Sequence, residues 1–93
     1  MNFTAAWRQT AEDELTLLWL ASPNRNAITA AAHAIDQVLA VDADAVGRVV
    51  FDTVREYTYP PLGVEFEVIV EDARVWVLKV WDSATGRPTA TGN

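Results

Sequence analysis

The stretch "PPLGVEFEVIVEDARVWVLKVW", residues 60–81, decides the fold. Two runs of β-branched and aromatic residues at period two flank a polar "EDA", the pattern of two strands joined by a turn. An odd-length turn over residues 71–73 segregates the side chains best. It places Val64, Phe66 and Val68 on one face with Trp76, Leu78 and Val80. The other face then carries Glu65, Glu67, Ile69, Val75, Val77 and Lys79, with Glu65 opposite Lys79. In that register Trp81 ends the strand as an exposed ring beside an apolar patch rimmed by acids.

Working back from the hairpin, Pro60 and Pro61 break a β-rich segment. Within residues 48–59 the β-branched and aromatic content predicts at least one strand. Before it lie two helical patterns. Ala11, Leu15, Leu18, Trp19 and Ser22 share one face of a first helix, with Thr10 as the expected N-cap and Asp13 in a capping-box position. Glu12 and Glu14 suit the first turn of that helix. "SPNRN" stops it, and a second helix starts around Asn26, with Ile28, Ala31, Ala32, Ile35, Val38 and Leu39 in phase. Gly47 breaks that helix after "VDADAV". At the N-terminus Phe3, Ala5 and Trp7 alternate as a short strand. The order predicts an α+β domain: an N-terminal strand, an antiparallel helical hairpin, then a three-stranded antiparallel segment completing one sheet. One domain spans residues 1–93, with residues 83–93 as a flexible tail.

Composition excludes several chemistries. The chain has no cysteine and a single histidine, His33, so no disulfide, thiol nucleophile, metal site or cofactor is expected. A net charge of −6 argues against direct nucleic-acid binding, which depends on Lys and Arg neutralising phosphates. Apolar runs such as "LLWLA" are too short to cross a membrane, and the N-terminus lacks a basic segment followed by an apolar core. A cytoplasmic location is the expectation.

Candidate site residues are few. Arg48, Arg55 and Arg87 are available for a phosphate, although each also suits a local ion pair, with Glu65 or Glu67 as the partner for Arg55. Tyr57 and Tyr59 alternate on one strand face, where either has the chemistry to stack on a base or donate a proton. His33 reads as a partly exposed structural residue. Glu65 and Glu67 are two residues apart on a flat hairpin, which offers no substrate pocket for paired carboxylates.

These elements in this order resemble the RelE/ParE superfamily of bacterial toxin–antitoxin toxins, also known as plasmid stabilisation proteins. The resemblance covers residues 3–81. It rests on "AEDELTLLWL" after a first strand, "AITAAAHAIDQVL" in the second helix, Arg55 leading into "PPLGVEFEV", and "RVWVLKVW" in the last strand. It implies a toxin neutralised by a cognate antitoxin that wraps its helices and sheet. RelE-like members cut messenger RNA on the ribosome with basic residues on the strands and near the C-terminus; ParE-like members act on DNA gyrase. Here the Arg expected directly after Leu62 is Gly63, and the basic positions after the last strand fall on Asp82 and Ser83. The cations that stabilise a developing phosphorane charge are therefore missing.

The expected function is a toxin-like component that acts by protein binding, gyrase-directed if ParE-like. Its expected partner-binding surface is Glu65, Glu67, Lys79 and Trp81, suited to a basic antitoxin segment. The alternatives are a ribosome-dependent ribonuclease using Arg48, Arg55, Tyr57 or Tyr59 in altered roles, and a non-toxic relic that still binds its antitoxin. An exposed edge strand or the alanine-rich second helix offers a surface for a homodimer.

Overall fold

The computed structural model describes residues 2–87. Along the chain run β1 (Thr4–Trp7), α1 (Gln9–Ala21), α2 (Arg25–Asp42), β2 (Arg48–Phe51), β3 (Val54–Tyr59), β4 (Leu62–Ile69) and β5 (Arg74–Asp82). The strands form one five-stranded sheet in the order β1-β5-β4-β3-β2. β1 is parallel to β5, and every other pair is antiparallel. Both helices cover one face of this sheet. The α+β reading and the helical hairpin hold. The segment between α2 and the quoted hairpin carries two strands, because Asp52, at a φ of 51°, and Thr53 turn the chain between Phe51 and Val54.

Start signals differ in detail from expectation. α1 begins at Gln9 with Arg8 in extended conformation at its N-cap, so Thr10 is inside the helix and no capping box forms. The Thr10 hydroxyl instead donates to the Leu78 carbonyl (3.5 Å), and Asp13 accepts from the Gln9 amide (2.9 Å). The reason is the neighbouring strand. β1 pairs only with residues 74–77 of β5, and α1 covers the edge beyond. Arg8 N–H donates to Val77 (2.9 Å), and Val80 N–H donates to the Glu14 carboxylate (3.1 Å). These contacts satisfy backbone groups that an uncovered edge would leave unpaired. α2 is capped as its sequence suggests, with Asn24 accepting from Ala27 N–H (3.2 Å).

The core lies between the helices and the inner sheet face. Phe66, Ile35, Leu39, Leu62, Val64, Val75 and Val77 are its largest fully buried side chains. Trp7 packs at its margin and donates its indole N–H to Asp36 on α2 (2.6 Å), which joins β1 to the second helix.

The β4–β5 register corrects the predicted one in its turn-proximal half. The turn takes four residues, with a 3₁₀ segment over Val70–Asp72 and Ala73 in the left-handed region at φ 49°. An even turn pairs Val68 with Val75 and Phe66 with Val77, so Val75 and Val77 enter the core and Trp76 faces outward beside Glu67. A bulge at Leu78 adds one residue and restores the predicted alternation. Glu65 then opposes Lys79, and Val64 opposes Val80. The apolar patch expected around Val75, Val77 and an exposed Trp81 does not form.

Candidate functional site on the outer sheet face

The face away from the helices is built by Glu56 of β3, Gly63, Glu65 and Glu67 of β4, and Arg74, Trp76, Lys79 and Trp81 of β5. Tyr59 opposes Leu62 across the Pro60–Pro61 turn, which brings Glu56 directly opposite Glu65. Two carboxylates in that position repel one another unless a cation lies between them. Arg87 is that cation. Its guanidinium donates to Glu56 (2.8 Å) and to Glu65, and lies 5.7 Å from the centre of the Trp81 ring. Arg48 approaches Glu56 from the other side at 2.6 Å. The hydrogen bond from Arg87 is the main reason the Glu56 carboxyl titrates below its ordinary range, with Arg48 adding to it and partial burial opposing it. The same bond to Glu56 raises the pKa of Arg87.

The chain reaches this position because the expected tail is ordered at its start. Ser83 N–H donates to the Pro61 carbonyl (2.9 Å), and both Ala84 and Gly86 N–H bind Asp82. Gly86 has a φ of 81°, a conformation only glycine adopts without strain, and it turns Arg87 back over the sheet. The remainder of the predicted tail lies outside the described residues.

Trp81 is only 7 % exposed. Its indole lies flat against Gly63, so closely that a Cβ at that position would overlap the ring. Glycine at residue 63, where the resemblance expects arginine, is therefore what lets the tryptophan close over the sheet. Glu65 is also 7 % exposed and is held by Arg87 rather than by Lys79. Glu67 accepts from the Thr53 hydroxyl (3.2 Å). Lys79 is exposed and makes no salt bridge among the described residues.

The remaining candidates do not converge. Arg55, Tyr57 and Tyr59 lie on the helix-side face opposite Phe66, Val64 and Leu62. Arg55 donates to the Val46 carbonyl (3.1 Å) and makes no ion pair with Glu65 or Glu67. Tyr57 packs against the core. Arg48 points to the opposite face, so the residues of the ribonuclease alternative are divided across the sheet. His33 is exposed, with the Gln37 amide 3.3 Å away.

The sequence assigns no role to Arg8 or Arg74, and its expected register puts Trp76 on the face of Val64 and Phe66 rather than beside Glu67. Arg8 stacks on the Trp76 ring at 4.3 Å from its centre, and Arg74 lies at 5.5 Å. Of seven basic residues, Arg8, Arg48, Arg74, Lys79 and Arg87 belong to the outer face. The face is thus mixed in charge: Glu56 and Glu65 are paired with arginine, Glu67 accepts from Thr53, and Arg8, Arg74 and Lys79 form no salt bridge among the described residues.

A second surface lies between the helices. Leu15, Thr16, Trp19, Ile28, Thr29 and Ala32 line a shallow apolar groove. Arg25 stacks on Trp19 (4.6 Å) and donates to the carbonyls of Trp19 and Leu20, closing the end of α1.

This architecture is that of the RelE/ParE toxins. The chain is similar to the toxin–antitoxin complex RelBE2 from Mycobacterium tuberculosis, with a TM-score of 0.72, 19% identity, and coverage of 88% of this chain and 99% of that one. It is also similar to the chromosomal ParDE system from P. aeruginosa, with a TM-score of 0.62, 19% identity, and coverage of 86% and 95%. For the intact RelBE complex of E. coli the TM-score is 0.55, at 15% identity over 89% of this chain and 98% of that one. No protein-family model and no curated protein sequence matches the chain. At these identities the likeness establishes the fold.

Proposed function

We propose that this chain is the toxin component of a type II toxin–antitoxin module, that it acts by binding a protein target, and that a cognate antitoxin neutralises it. The observation that carries this reading is the fold shared with RelE and ParE toxins of the complexes described above, over nearly their whole length. The outer face supports a protein target over RNA cleavage. Gly63 lies under Trp81, Asp82 begins a turn, and the cation nearest to both, Arg87, is engaged by two carboxylates. Cleavage of RNA needs uncompensated cations at the phosphate and a group to take the 2′-hydroxyl proton. A gyrase-directed activity of the ParE kind suits that deficit. The apolar groove between α1 and α2 suits an amphipathic helix of the antitoxin. The chain is expected to work in the cytoplasm.

Inducible expression of the chain alone in a bacterial host tests this reading. Growth arrest with intact messenger RNA and an abnormal nucleoid is the expected result. Arrest with cleaved messenger RNA that disappears in Arg55→Ala would establish the ribonuclease instead. Normal growth with abundant soluble protein would leave a relic that binds its antitoxin and has no toxicity.

A further inference from the structure

Arg8, at the start of α1, and Arg74 of β5 meet on one indole of the outer face. Trp76 faces outward because the four-residue turn and the Leu78 bulge invert the local register. Its ring carries the Arg8 guanidinium at 4.3 Å and has Arg74 at 5.5 Å. A guanidinium resting on an indole is attracted by the ring's electron density and keeps N–H donors free for a further partner. Lys79 follows on the same face of β5. None of the three forms a salt bridge among the described residues, whereas Arg48 and Arg87 both do.

We infer that Arg8 and Arg74, gathered at Trp76, together with Lys79 further along β5, form a docking point for a short acidic segment of a partner protein. The fork of a guanidinium matches a carboxylate, which it binds bidentately. Three features favour a short carboxylate-bearing segment over a nucleic-acid strand. The ring face that would stack on a base is already occupied by Arg8. Glu71 and Asp72 in the turn border the patch at one end, Glu67 lies across from Trp76 and Glu65 lies beside Lys79 at the other, so a long phosphate backbone would run into acids along its whole length. A chain of net charge −6 also repels an extended polyanion while leaving a local contact favourable. This assignment concerns a different face from the helical groove and does not depend on whether the chain is toxic.

The test is fluorescence anisotropy with a labelled oligoglutamate peptide and an oligouridylate of matched charge, at low and moderate salt. The full chain should bind the peptide more tightly than the oligouridylate. The double variant Arg8→Gln, Arg74→Gln should bind the peptide at least about tenfold more weakly, as expected for loss of two charge-assisted contacts. Its fold is checked by circular dichroism. Arg48→Gln, a change outside the patch, should bind as the parent does. Arg8→Lys with Arg74→Lys keeps the charge and removes the planar fork, and should also weaken binding. Absence of peptide binding by the parent, equal binding by the Gln or Lys double variant, or preference for the oligouridylate would each overturn the assignment.

Discussion

The two faces of the sheet follow different rules. On the inner face, Leu62, Val64, Phe66, Val75 and Val77 are fully buried against the helices and all five are apolar, with Arg55, Tyr57 and Tyr59 of β3 beside them. On the outer face, no helix covers the strands. There, burial is achieved by one tryptophan lying on a glycine and one arginine lying between two glutamates. The inner face is interchangeable among proteins of this fold, since any hydrophobic set of the right volume satisfies it. On the outer face the polar groups depend on specific partners. The fold is therefore a statement about one side of the sheet, and the function has to be sought mainly on the other.

That contrast is most sharply tested on the inner face. Phe66→Ala removes a fully buried ring where no side chain can fill the space, and about 3–5 kcal/mol of stability should be lost in denaturant unfolding. An effect near zero would mean that the core does not close around β4. The next largest effect belongs to the outer face. Gly63→Arg introduces the residue expected from the resemblance, but its Cβ meets the Trp81 indole. It should destabilise by about 1–3 kcal/mol through overpacking and shift the Trp81 indole N–H signal in a proton–nitrogen correlation spectrum. If Gly63→Arg is neutral and that signal stays in place, Trp81 does not hold the outer face closed.

Legibility in the sequence divides along the same line. The helices, the order of elements along the chain and the pairing of Glu65 with Lys79 follow from periodicity and turn residues, because apolar spacing reports which side of an element is dry. The turn over residues 70–73 was less legible, since an alanine at positive φ is rare and the Leu78 bulge leaves no separate mark. That one-residue difference moved Trp76 from the core to the surface, and with it the Arg8 and Arg74 stack. The Glu56–Glu65 pair was readable in principle, because a two-residue Pro60–Pro61 turn sets Tyr59 opposite Leu62 and fixes the residues behind them. Arg87 was not readable: its position depends on the φ of Gly86 and on hydrogen bonds from the turn to Asp82 and Pro61. Long-range polar contacts of this kind carry no period.

The smaller effects separate the two arginines that share Glu56. Arg87→Gln leaves Glu56 facing Glu65 without a cation between them. With the Arg87 side chain 35% exposed, solvent screening limits the loss to about 1 kcal/mol. Glu56 titrates below its ordinary value of 4.5 in the folded chain, so the contact contributes fully above that value and is lost as the pH falls through the lowered one. The difference in stability between parent and Arg87→Gln should therefore be present at neutral pH and shrink in acid. Arg48→Ala should change less, within about 0.5 kcal/mol, because its side chain is 74% exposed and Glu56 keeps its bond to Arg87. Thermal melts of both variants at neutral and acid pH read the two predictions together. A larger loss in Arg48→Ala than in Arg87→Gln would reverse the assignment and make β2, rather than the chain after β5, the element that neutralises the acidic pair.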